Sequence, residues 1–112
     1  MRKEPAISVC MPFYNVEYYI GEAIESVLNQ SFQDFELILI NDGSTDDSVH
    51  IVQKYTDERI TLINNSHGFI DSLNAGLDHA KGKYIARMDA DDKMHPDRLL
   101  IQYNYLEYNP EI

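Results

Sequence analysis

Phe35-Glu36-Leu37-Ile38-Leu39-Ile40-Asn41-Asp42-Gly43 is the stretch that decides the fold. Phe35–Ile40 is short and nearly continuous in apolar residues, and it stops at an Asn-Asp-Gly turn. A strand with one wet face would alternate apolar and polar residues. A nearly continuous run of this length suits a parallel strand covered on both faces. The carboxylate of Asp42 therefore stands directly after a buried strand.

Upstream, Ala6–Met11 is a second β-branched apolar run, and Pro12 is expected to stop it, because proline cannot continue a central ladder. Between the two runs, Ile20, Ala23, Ile24, Val27 and Leu28 recur at helical spacing, with Asn15 as the expected N-cap and Glu17 in the first turn. Downstream, a helix is expected from about Thr45, with Asp46 and Asp47 at its positive end and Val49, Val52 and Tyr55 inward. Arg59–Ile63 reads as a third strand and Asn64–Gly68, with His67, as a loop. A third helix carries Ile70, Leu73, Leu77 and Ala80 inward, with Gly82 as its C-cap. Tyr84–Met88 reads as a short buried fourth strand. Pro96 suits the first turn of a last helix bearing Leu99, Leu100, Tyr103 and Leu106.

Four β-α units in 112 residues predict one α/β domain, an open, mostly parallel sheet with helices on both faces. Such sheets bind ligands beyond the carboxyl ends of their strands. Tyr14, Asp42 and Asp89–Asp92 all follow strands directly, so they are expected along one edge.

The formal charge of −10 excludes the basic footprint of a nucleic-acid binder and a polybasic membrane contact. More than half of the aspartates fall in Asp42–Asp47 and Asp89–Asp92. In extended chain Asp89 and Asp91 point the same way. Two close carboxylates need a counter-charge, and a hard divalent cation held by one or two carboxylates plus substrate phosphates supplies it. Asp42 can accept a base N–H or a ribose hydroxyl while the Tyr14 ring stacks on a base, a pairing that suits a nucleoside. Arg87, inside the fourth strand, could reach a phosphate or pair with a neighbouring carboxylate, and the pair is expected, since no glycine-rich phosphate loop is present. His95 reads as a helix-start residue rather than a metal ligand, and His50 and His79 as solvated. The single cysteine, Cys10, permits no internal disulfide and reads as a buried hydrophobe. No apolar run reaches membrane-spanning length, and Met1-Arg2-Lys3 is not followed by the apolar core of a signal peptide, so a cytoplasmic location is expected.

Several blocks, in order, resemble the family 2 (GT-A type) glycosyltransferases: Ile7–Asn15, Glu22–Ser31, Leu39–Asp46, Asn74–Leu77, Ala80–Ile85 and Met88–Asp92. The resemblance covers essentially the whole chain. It implies that residues 1–112 form the Rossmann-like, nucleotide-sugar-binding portion of a GT-A domain. It implies an inverting transfer of sugar, commonly from a UDP-linked donor, to a hydroxyl of a glycan, lipid or other acceptor, with Mn²⁺ or Mg²⁺. By position, Pro12 and Tyr14 lie beside the base, Asp42 accepts from it, Asp89 approaches the ribose, Asp91 holds the metal and Asp92 orients the loop. The resemblance places the general base beyond residue 112, so no aspartate here takes that role. Leu73 stands where similar sequences often carry arginine. The parent enzyme is free to dock on a membrane through its remainder. Two other readings of the residues stay open. One is another enzyme with strand-end aspartates, such as a phosphatase, although the first strand ends at Pro12 and not at an aspartate. The other is a non-catalytic nucleotide-binding or assembly module that self-associates through exposed apolar surface.

Overall fold

The computed structural model describes residues 4–66 and 68–111. The expectations that fell on Met1–Lys3 and on His67 lie outside the described residues. The elements are β1 (Ile7–Phe13), α1 (Ile20–Leu28), β2 (Phe35–Asn41), α2 (Ser48–Gln53), β3 (Ile60–Asn64), α3 (Phe69–His79), β4 (Tyr84–Arg87) and α4 (Arg98–Tyr108). The strands form one parallel sheet in the order β3-β2-β1-β4. This is the α/β architecture that the β-α alternation predicts.

The strand parity sorts the core. Val9, Met11, Phe13, Phe35, Leu37 and Leu39 point to one face, where Ile20, Ile24 and Val27 of α1, Val52 of α2 and Leu99 of α4 meet them. Cys10, Ile38 and Ile40 point to the other face, which α3 covers. Each such aliphatic or aromatic side chain contributes about 1.5–3 kcal/mol on full burial. Both faces of β1 and β2 are thus dry, which is why these two strands read as continuous apolar runs.

Pro12 does not stop β1. The Cys10 carbonyl accepts from Met88 N–H on the β4 side, and the Phe13 carbonyl accepts from Asp42 N–H on the β2 side. Alternation therefore turns Pro12 toward the β4 side, where β4 has already ended at Arg87 opposite Cys10. The missing N–H has no ladder partner to lose, and β1 runs on through Pro12 to Phe13 against Ile40 and Asn41.

The fourth strand differs from expectation too. It ends at Arg87 and is an edge, with only Ala86 buried and Ile85 46% exposed. A groove of about 550 Å³, lined by Ile85, Ile101, Tyr105 and Leu106 among others, runs between β4 and α4. Helix starts are later than predicted. Val16–Tyr19 form a turn, with Tyr19 and Ile20 N–H donating to Val16 O, and Tyr19 is the N-cap of α1 in place of Asn15. Helix α2 starts at Ser48 rather than near Thr45, and α4 at Arg98, leaving Pro96 before the helix. On α3 the buried residues are Ser72 and Gly76, while Ile70 and Leu77 are exposed. That helix ends at His79 with Ala80 as C-cap, so Gly82 is not the cap.

Cys10 is fully buried, as expected of a small hydrophobe. Burial, with a further push from the Glu36 carboxylate, raises its thiol to about 11. Native protein at pH 8 should therefore react with a thiol reagent at least roughly 100-fold more slowly than protein in denaturant. Equal rates in the two states would contradict this packing. Among the described residues no helix is long and apolar enough to cross a membrane.

Candidate functional site

The loops at the carboxyl edge are tied to one another rather than to their own helices. Asn15 sits at φ 49°, a left-handed conformation that asparagine tolerates. Its Oδ1 accepts from Thr45 N–H at 2.8 Å and Asp46 N–H at 3.3 Å. In return Ser44 Oγ accepts from Asn15 N–H, Ser48 Oγ from Val16 N–H and Asp46 Oδ2 from Glu17 N–H. These bonds explain why Asn15 does not cap α1: its side chain clamps the neighbouring loop. Desolvation works against the Asp46 carboxylate, but hydrogen bonds from Ser48 and from the Glu17 backbone hold it below the ordinary carboxylate range. Tyr14 lies at the head of this clamp with its side chain exposed. Pro12, by contrast, is buried within β1.

Asp42 follows β2. Its N–H continues the ladder to Phe13 O, and its Oδ1 accepts from Gly68 N–H at 3.1 Å, at the start of α3. Beside it a cleft of about 410 Å³ is lined by Asn41, Gly43, Asn64, Asn65 and Ser66, with Ile63 and Ala75. Asn41 is buried; its Oδ1 accepts from Ser44 N–H and its Nδ2 donates to Asn64 Oδ1 at 3.0 Å. Sequence reasoning missed this asparagine floor. The signal was available: β2 and β3 both end in asparagine, and the register pairs Asn41 with Asn64.

Asp89–Asp92 is not extended. Asp92 N–H donates to Asp89 O at 3.1 Å, which closes a turn. Met88, Ala90 and Met94 are buried and anchor it, and Ser26 Oγ of α1 accepts from Met94 N–H. The turn gathers three exposed carboxylates, those of Asp89, Asp91 and Asp92, with one oxygen of each within 4.8 Å of the others. The expected two-carboxylate arrangement thus becomes a set of three, and Asp92 joins it. Three hard oxygen donors with open positions toward solvent fit Mg²⁺ or Mn²⁺, which commonly keep water or phosphate oxygens as further ligands. Arg87 does pair with a carboxylate: its Nη2 lies 3.1 Å from Asp89 Oδ1, and its guanidinium sits 5.0 Å from the centroid of the Phe69 ring. His95 stays apart from the carboxylate set. Its Nδ1 accepts from Asp97 N–H and its carbonyl from Gln30 Nε2, so it shapes the entry to α4.

Strand β1 lies between β2 and β4. Asp42, after β2, and Asp89, after β4, therefore flank the end of β1 from its two sides. The sheet order therefore brings Tyr14, Asp42 and the acidic turn to one edge, as sequence reasoning expects.

The sequence profile of Glycosyl transferase family 2 matches residues 8–112. A Haemophilus influenzae protein named as an uncharacterized glycosyltransferase is 45% identical over 116 residues, covering 100% of this chain and 36% of that protein. Staphylococcus aureus TarS 1-349 in complex with UDP-GlcNAc superposes with a TM-score of 0.85 at 30% identity, over 91% of this chain and 31% of TarS. The Pyrobaculum calidifontis mannosyltransferase PcManGT, in complex with GDP-Man and Mn²⁺, superposes with a TM-score of 0.84 at 26% identity, over 93% of this chain and 33% of that one. The chain thus spans about a third of the length of these relatives.

Proposed function

Because the chain belongs to glycosyl transferase family 2, we propose that residues 1–112 are the donor-binding portion of a GT-A domain. The whole enzyme would transfer a sugar, with inversion, from a UDP-linked donor to a hydroxyl of a glycan, lipid or other acceptor. The observation that carries this reading is the set of three carboxylates on the sheet edge that also holds Asp42 and Tyr14.

Each group then has a task suited to its chemistry. The exposed Tyr14 ring stacks on the base. Asp42 accepts a base N–H, and the asparagine-lined cleft beside it offers both donors and acceptors to the base edge. Pro12, buried under this loop, fixes where Tyr14 leaves the sheet. Asp89 reaches the ribose hydroxyls, and Asp91, with Asp92 beside it, holds Mn²⁺ or Mg²⁺. A bound cation of this kind neutralises the departing diphosphate as a Lewis acid. The general base and the acceptor site belong to the remainder of the enzyme. A cytoplasmic location is part of the same proposal, and self-association would draw on the apolar groove between β4 and α4.

Two relatives support the donor class from different sides, TarS through UDP-GlcNAc and PcManGT through GDP-Man with Mn²⁺. Calorimetric titration of UDP and of GDP, each with and without Mn²⁺, tests the reading. UDP should bind only with the metal, and more tightly than GDP. A folded sample that binds neither nucleotide under any of these conditions would overturn it.

A further inference from the structure

We propose that Arg87 is the residue that grips the donor's diphosphate, exchanging its contact with Asp89 for the phosphate oxygens. This rests on the donor-site reading above. Among the described residues, four cations lie within six positions of the acidic turn, and three are engaged elsewhere. Lys83 turns to Glu107 on α4, at 2.6 Å. Lys93 turns to Glu22 on α1, at 3.3 Å. Arg98 donates to the Arg87 carbonyl, at 3.1 Å. The Arg87 guanidinium touches the carboxylate set directly and is about half exposed, as is Asp89. An exposed ion pair of this kind contributes little to stability, so exchanging its partner costs little.

The support of Arg87 suits the task. The Phe69 ring in the first turn of α3 lies under the guanidinium, whose Cζ is 5.0 Å from the ring centroid. Its own carbonyl is fixed by Arg98, so the strand end that carries the side chain does not swing freely. A planar fork of N–H donors matches phosphate oxygens better than a lysine ammonium does. Charge gives the motive. Three carboxylates and a divalent cation leave a net negative site, and a diphosphate adds more of the same sign. One guanidinium at the rim offsets part of that repulsion.

The test compares uridine, UDP and Mn²⁺ alone, titrated into the unmodified chain, Arg87→Ala and Arg87→Lys. Circular dichroism and thermal melts should show all three equally folded, because the side chain is exposed. In Arg87→Ala, UDP with Mn²⁺ should bind about 10- to 100-fold more weakly while uridine binds as before, the size expected for losing charge-assisted hydrogen bonds. Arg87→Lys should recover part of the loss, since it restores the charge without the fork. An Arg87 that merely neutralised the aspartates would behave otherwise. Its removal would leave the ratio of UDP to uridine affinity unchanged and tighten Mn²⁺, and that result would overturn the assignment while the donor site stood. Failure of the unmodified chain to bind UDP with Mn²⁺ would instead remove the donor-site reading, and the assignment with it.

Discussion

Asp91→Ala should abolish metal-dependent UDP binding, weakening it by a factor of at least about 100, or roughly 2.7 kcal/mol. The carboxylates of Asp89, Asp91 and Asp92 are mutually within 4.8 Å, so loss of the middle one leaves two donors for a cation that favours several oxygens. All three side chains are exposed and the turn is anchored by Met88, Ala90 and Met94 instead. Stability should therefore stay within about 0.5 kcal/mol of the parent. Removing one of three like charges, if anything, relieves repulsion. Calorimetry with Mn²⁺ and UDP, beside a urea melt, separates the two effects. UDP binding that survives the substitution at parental affinity would show that the cation is held elsewhere.

Gly82→Ala should have the opposite profile: a large loss of stability with no direct contact to ligand. A Cβ at this position would lie 2.6 Å from Ser8 N and 2.7 Å from Ile7 C, both backbone atoms of the central strand. Neither can yield without moving β1. The Gly82 N–H also donates to Ser8 Oγ at 2.8 Å, and Ser8 Oγ donates in turn to Glu36 Oε2 at 2.5 Å. Glu36 Oε2 further accepts from Lys81 N–H. Substitution pushes the start of β4 off β1 and breaks a buried serine's contacts, a loss of about 2–4 kcal/mol. Gly76→Ala is a useful contrast, since its Cβ would meet the flexible end of Ile40, Cδ1 at 2.7 Å. Urea unfolding reads the difference directly. A Gly82→Ala midpoint equal to that of the parent would refute the close approach.

The sequence made some of this legible and hid the rest for physical reasons. Strands β1 and β2 were readable because both faces are covered, so nearly their whole length is apolar, Ser8, Glu36 and Asn41 excepted. The acidic strand ends were readable because chain order in a parallel sheet fixes which loops share an edge. The inner face of α3 was not. Ile70 and Leu77 are the obvious inward candidates, yet the helix lies so close over Cys10 and Ile40 that only Gly76 and Ser72 fit beneath it. Large residues then mark the outer side, and a hydrophobic stripe misleads. The early helix starts at Asn15 and Thr45 failed for a related reason. Asn15 Oδ1 accepts from Thr45 N–H and Thr45 Oγ1 accepts from Asn15 Nδ2, across about 30 positions of chain, and no local pattern records that. The Arg87–Asp89 pair was readable from proximity, but the Phe69 ring behind it depends on where α3 lands.

The position of β4 has a kinetic consequence. Strands β1 and β2 can pair across a single crossover, but Gly82 must find Ser8 across 74 positions, and β4 joins β1 at that seam. Loop-closure entropy rises only slowly with length, but contacts of high sequence separation slow the folding of such sheets. The acidic turn hangs from the free end of β4. Its carboxylates come to face Asp42 only once β4 has joined β1. If the proposed cation binds there, its binding should report the docking of β4 and trail the burial of Cys10.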